Sequence, residues 1–113
     1  LIIMIQITVF QSDNHVTAFE VTGHAESGPY GYDLVCAGVS AVTFGAVNAM
    51  MKLCETDLDI DQGADGSGYL AVKLPPNISS DKLEKMQWLV KGMIVSLETI
   101  EESYGEHVQL KFS

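Results

Sequence analysis

Gly23-His24-Ala25-Glu26-Ser27-Gly28-Pro29-Tyr30-Gly31-Tyr32-Asp33-Leu34-Val35-Cys36-Ala37-Gly38-Val39-Ser40 carries the transition that organises this chain. Ahead of it, His15 to Gly23 sets Val16, Phe19 and Val21, with the weaker Ala18, among polar neighbours, which is the pattern of a strand. Gly28, Pro29 and Gly31 then break the pattern into a loop over 24–33. From Leu34 the chain becomes apolar and, as far as Met51, uncharged. It reads as a helix running to about Leu53, with Asp33 as its N-cap. A strand thus ends at a histidine, and a helix opens with a cysteine in its first turn.

The rest of the chain falls into place on either side. Residues 2–10 are β-branched and apolar and form a strand; Ser12-Asp13-Asn14 turns it back into the one containing His15. Asp57 to Asp61 alternates as a short edge strand, Gln62 to Ser67 is a Gly/Asp turn, and Gly68 to Leu74 alternates again. Pro75-Pro76-Asn77 ends that strand. A second helix is capped by Ser79, Ser80 or Asp81, with Glu84 three residues after Asp81 as a capping box. Its core stripe is Leu83, Met86, Val90, Met93 or Ile94, Leu97 and Ile100, which leaves Trp88 and Val95 off the stripe. Gly105 stops it, and His107 to Phe112 forms a last strand. The order ββαββαβ predicts an α+β two-layer sandwich, a mostly antiparallel sheet with two helices on one face, in one domain spanning 1–113. Ala37, Ala41, Gly45 and Ala49 form a small-residue stripe on the first helix. That stripe packs either on the second helix or on a second copy of the chain.

Six lysines stand against fifteen acidic residues, for a formal net charge of -9. Such a surface repels nucleic acid and anionic membranes and attracts a basic partner. The uncharged Leu34–Met51 run has the length of a membrane span. Its Cys36, Gly38, Ser40, Thr43, Gly45, Asn48 and many alanines fit a buried core helix better. Leu1 to Gln6 has neither a basic n-region nor a cleavage pattern, so it reads as strand rather than secretory signal. Met4 is a candidate natural start, which the mass of the native protein decides. On one helix, Cys36 and Cys54 would lie roughly 27 Å apart. A disulfide needs Cα atoms within about 7 Å, so the two should remain thiols, as in the cytosol.

The residues capable of chemistry cluster in the opening stretch. With Asp33 as cap, Cys36 sits among the unpaired amides of a helix N-terminus, where the dipole favours thiolate and the N–H groups can hold an oxyanion. Read by periodicity alone, it is a small buried hydrophobe. His24, at the loop mouth, is a candidate general base, or else a structural histidine. Asp33 either caps the helix or orients His24, and beside a thiolate its charge must be engaged elsewhere. Gly28 and Gly31 let the loop close as a lid, unless it is an ordinary connection. No metal or cofactor is implied. Gly23-x4-Gly28 lacks the Lys-Ser/Thr of a phosphate loop, and Cys54 lies too far from Cys36 to share a metal. Asp57, Asp59, Asp61 and Asp65 lack the glutamate that closes a calcium loop and read as a solvated acidic face.

Gly23-His24-Ala25, followed by Gly31-Tyr32-Asp33-Leu34-Val35-Cys36-Ala37-Gly38-Val39-Ser40, closely resembles the ribosomal-processing cysteine protease family (Prp) of small bacterial proteins. The resemblance covers nearly the whole chain in length, element order and acidity. It implies a cytoplasmic, homodimeric cysteine endopeptidase. Its substrate would be large-subunit ribosomal protein number twenty-seven, which loses a short N-terminal extension after an aromatic-rich motif. The family's nucleophile falls on Cys36, its histidine on His24 and its aspartate on Asp33. Ser40, Gly23 and Gly38 are candidate substrate contacts. The acidic surface agrees with a basic ribosomal substrate and gives no reason to expect direct contact with nucleic acid or membrane. The rival reading is a non-catalytic, ribosome-associated assembly factor that uses the same surface and treats Cys36 as packing.

Overall fold

The computed structural model describes residues 4–23, 32–63 and 68–113. Seven elements follow the expected order: β1 (Ile5–Ser12), β2 (His15–Thr22), α1 (Tyr32–Leu53), β3 (Asp59–Asp61), β4 (Tyr69–Lys73), α2 (Ser80–Tyr104) and β5 (Val108–Phe112). The strands form one sheet in the order β3-β4-β2-β1-β5. Every pairing is antiparallel except β1 with β5, which is parallel. Parallel neighbours need a long crossover. Here everything between β1 and β5 supplies it, and α2 returns the chain to the far side of β1.

Asp13 and Asn14 both take left-handed φ values, 52° and 66°. That is the two-residue hairpin turn that Asp and Asn tolerate, and it sets Ser12 opposite His15. The alternation along β2 is not continuous. Phe10 pairs with Ala18 and Gln11 with Val16, so Thr17 is an extra residue, a bulge. Val16 and Phe19 stand three apart and would otherwise point to opposite faces. The bulge turns both inward, with Val16 1% and Phe19 0% exposed.

One sheet face is therefore fully apolar. Ile5, Ile7, Val9, Phe19, Val21, Leu70 and Val72 are buried beneath the helices, together with Val35, Val39, Val47 and Met50 of α1 and Met86, Val90 and Leu97 of α2. The other face carries no helix. Cross-strand register lays out its rows: Asp59, Lys73, Ala18 and Phe10 in one, and Asp61, Ala71, Glu20, Thr8 and Lys111 in the next. By length and hydropathy α1 could cross a membrane. In this fold its apolar side is the floor of a core. Its small-residue stripe does not pack on α2: Ala37, Ala41 and Gly45 are exposed, and only Ala49 is half-covered.

Helix boundaries shift slightly from the expected ones. Ser79 is the N-cap of α2, its side chain accepting a hydrogen bond from the Lys82 N–H at 3.3 Å, so an Asp81–Glu84 box does not form the start. Gly105 ends the helix with an ordinary right-handed φ of -60° rather than a left-handed turn. Trp88 and Val95 lie outside the core at 73% and 60% exposure.

One buried polar residue fixes α2 on the sheet. The bond from Leu74 N–H to the Thr17 carbonyl is the last between β4's side and β2. One residue further, Val16 has no strand beside it on the side away from β1. The Gln87 side chain takes that place: its carbonyl accepts from Val16 N–H and its amide donates to Val16 C=O, both at 2.8 Å. Two buried backbone groups are thereby satisfied from a helix. Gln87→Leu should orphan both, at about 1–3 kcal/mol each. Urea unfolding should show a lower midpoint at unchanged slope; a midpoint equal to wild type would mean apolar contacts alone hold α2 in place.

Candidate active site

The candidate residues fall at the end of β2, at the start of α1 and on the chain between them. Gly23 closes β2, and its N–H donates to the Gly68 carbonyl at 3.1 Å, joining the ends of the two strands. Its φ is +83°, and a Cβ there would run into the Met4 carbonyl oxygen. Only glycine fits, because the left-handed φ and the close backbone both exclude a side chain. Gly23 thus sets the direction in which the chain leaves the sheet. The next residue is His24. His24, Gly28 and Gly31 fall outside the described residues, as does the side chain of Asp33.

α1 begins at Tyr32, two residues earlier than the sequence pattern suggests. Asp33 therefore belongs to the first helical turn instead of preceding it, and Cys36 is the fifth helical residue rather than the third. The difference bears on chemistry. Helix geometry leaves the N–H groups of the first turn, Tyr32 to Leu34, without an intrahelical acceptor, whereas the Cys36 N–H already faces the Tyr32 carbonyl. An oxyanion held by this helix would use the amides one turn ahead of the cysteine. The Cys36 position still lies in the field of the positive helix end, which fades within the first turn or so.

Cys36 is 6% exposed and sits at the edge of the core cluster beside Val35 and Val39. Cys54, at the other end of α1, is 2% exposed. The two do not bridge, as their separation along the helix requires. Ser40 is one turn after Cys36 on the same side of α1 and half-buried, so these two candidates share a face. The Ser40 carbonyl accepts from Thr43 Oγ1 at 3.2 Å, and Thr43 also bonds the Val39 carbonyl at 2.8 Å. Gly38 points elsewhere. It lies roughly 200° around the helix from Cys36. A Cβ on it would meet Ile100 Cδ1 of α2 at 4.0 Å, an ordinary packing contact. Helix packing accounts for Gly38; Cys36 and Ser40 remain as the α1 side of the site.

Sequence reasoning missed the contribution of Gly68. Its φ is 76°, and its bond to Gly23 ties the start of β4 to the end of β2. The sequence pattern reads Gly68 only as the first residue of an alternating strand, and nothing in it says that Gly68 meets the end of β2. Gly23→Ala should lower the melting temperature by several degrees, since about 1 kcal/mol shifts a domain of this size by roughly 4–8 °C. An unchanged melting temperature would mean that the Met4 segment moves aside at no cost.

Comparison with known proteins identifies the family and agrees with the fold. Residues 4–109 match the family described as cysteine protease Prp. The chain is similar to the ribosomal processing cysteine protease Prp of Bacillus subtilis, with 46% identity over 95% of this chain and 96% of the relative. It is also similar to the S. aureus ribosomal processing protease Prp solved with a substrate peptide. That likeness has a TM-score of 0.83 at 36% identity and covers 97% of this chain and 100% of the other. The S. aureus protein solved with a covalently linked product peptide superposes with a TM-score of 0.82 at 37% identity, over 97% and 100% of the two chains.

Proposed function

The chain belongs to the ribosomal-processing cysteine protease Prp family, and on that premise we propose a Cys36–His24 endopeptidase. It removes a short N-terminal extension from a large-subunit ribosomal protein. The observation that carries the reading is the pairing of two features. α1 opens at Tyr32, one turn ahead of Cys36, and Gly23, the residue before His24, holds a φ of +83° against the Met4 carbonyl that only glycine tolerates. A relative of the same length carries a covalently linked product peptide, which is the state expected of a thiol nucleophile.

The steps follow from nucleophilic catalysis. His24 accepts the Cys36 thiol proton, and the sulfur attacks the scissile carbonyl carbon. The carbonyl oxygen becomes an oxyanion facing the first-turn amides of α1. Collapse breaks the C–N bond, and the His24 proton leaves with the new amino terminus. The acyl group remains on sulfur as a thioester. Water, deprotonated by His24, attacks it and releases the carboxylate and the thiol. Asp33 orients His24 or supports the helix start, and Ser40 contacts the peptide one turn along α1. Gly28 and Gly31, in the 25–33 stretch, would let the chain ahead of Cys36 close on the peptide.

The enzyme acts in the cytoplasm, where ribosomes are assembled, as a single-domain homodimer joined through its helix layer. The exposed Ala37–Ala41–Gly45 stripe supports that contact. So do Gly45 and Gly92, where a Cβ would meet nothing within 4 Å, and the exposed Trp88 and Val95. Helices meet closely where small residues face one another.

The test is cleavage of the same organism's ribosomal protein with its natural N-terminus, read by intact mass. Wild type should give one truncation, and His24→Ala and Cys36→Ala none, a loss on the order of a thousandfold or more; sedimentation should give twice the monomer mass. Binding without truncation by wild type would favour a non-catalytic assembly factor, and cleavage by Cys36→Ala would reduce Cys36 to packing.

A further inference from the structure

The face of the sheet opposite the helices holds a feature that the proposed chemistry does not use. A cleft of about 870 Å³ opens there, beside the start of β3 and the end of β4. Phe10, Ala18 and Ala71, all half-buried, line it, and Pro75 and Pro76 border it. Glu20, Asp57 and Asp59 stand around it, with Lys73 as the single cation among the described residues that line it. The register explains the arrangement. Asp59 and Asp61 pair with Lys73 and Ala71, which lie on the open face, and the period of two places Asp57 with them. Five of the fifteen acidic residues fall between positions 55 and 65, where the chain has no basic residue. Of these, Asp57, Asp59 and Asp61 lie on or next to the β3 edge. At the other end of the same face, burial first and then the charges of Glu20 and Asp61 push the Tyr69 phenol above the usual tyrosine range.

We infer that this cleft is a second docking site, which binds a basic segment from the body of the ribosomal protein, outside the scissile extension. The inference rests on the protease reading for the identity of the partner. The cleft offers an apolar floor and an anionic rim. A protein that packs against RNA carries lysine and arginine side chains on apolar stems, which match such a surface. Lys73 is held opposite Asp59 and leaves the rim net negative. The cleft is remote from Cys36. It lies on the other face of the sheet and at the opposite end of β4 from Gly68, roughly 17 Å along the strand. It also faces away from the helix layer, so a helix-mediated homodimer leaves it open. Charge around such a site raises the encounter rate as well as the affinity. The extension would then be presented by a substrate already held elsewhere, which lowers the demand on the cleavage cleft for affinity.

The experiment separates the two sites by choice of ligand. The probe is the mature ribosomal protein, already lacking its extension, titrated into the full-length protein by calorimetry at low and moderate salt. Wild type should bind, and binding should weaken with salt. Asp57→Lys/Asp59→Lys should weaken it by about tenfold or more. Ala18→Trp, which fills the floor without changing charge, should weaken it as well. Glu98→Lys/Glu102→Lys, the same charge change on exposed α2 positions, should have little effect. Circular dichroism checks that each variant is folded, and Asp57→Asn/Asp59→Asn, which avoids adding charge beside Lys73, substitutes if the lysine pair is not. Cleavage of a short peptide spanning the cut should be equal in all of them, whereas KM for the full-length substrate should rise in the two cleft variants. No binding of the mature protein by wild type overturns the inference. So does equal weakening by the α2 pair, which would reduce the effect to net charge. If wild type binds through the cleft yet cleaves nothing, the docking site stands and the protease reading fails.

Discussion

Everything the fold does with α2 depends on two hydrogen bonds from Gln87 to the backbone of Val16. They arise from a chain of necessities. The bulge at Thr17 turns Val16 into the core, but β4 ends before it can pair with Val16. A buried N–H and C=O would then face nothing, at a cost larger than the net gain from any one ordinary hydrogen bond. Gln87 removes that cost, in only one axial position and one rotation of α2. The apolar contacts of Met86, Val90 and Leu97 supply more energy, about 1.5–3 kcal/mol for each fully buried side chain, but they tolerate sliding. The amide pair does not. With α2 fixed, Ile100 lies against the Gly38 position of α1. The first half of α1, which carries Cys36, is thereby set against the C-terminal part of α2.

The two faces of the sheet divide the work. The apolar face holds the helices, and through them the proposed nucleophile. The open face carries the carboxylates of the β3 edge and the cleft beside them. A short, acidic edge strand such as β3 also resists pairing with other chains, because its exposed aspartates would be desolvated. The same charges that discourage aggregation attract a basic protein.

The order of the elements was legible because each rests on local pattern: Ile5, Ile7 and Val9 at period two, Met86, Val90 and Leu97 at period near 3.6, and glycine or proline at the breaks. The Cys36 segment was legible through residue types at fixed spacing. What could not be read is what depends on distant neighbours. The bulge at Thr17 has no local sign beyond the broken parity of Val16 and Phe19. The parallel placement of β5 depends on where α2 delivers the chain. Gln87 looks like any polar residue beside a helix stripe until β4 proves too short to reach Val16. The start of α1 at Tyr32 instead of Leu34 is a change of half a turn, yet it moves the unpaired amides from the cysteine to the turn before it. Gly23 stood out as a neighbour of His24 and a candidate substrate contact, and its need for a left-handed φ becomes visible once Met4 is seen lying against it.

The most direct measurement is a covalent one. A peptide matching the substrate's extension, ending in a chloromethyl ketone at the cleavage position, should be incubated with the native protein and the adduct mapped by mass spectrometry. The expected result is a single adduct on Cys36, formed much more slowly in His24→Ala, with Cys54 unmodified. Labelling of Cys54 at the same rate, or of Cys36 at a rate indifferent to His24, would contradict a Cys36–His24 nucleophile at the start of α1.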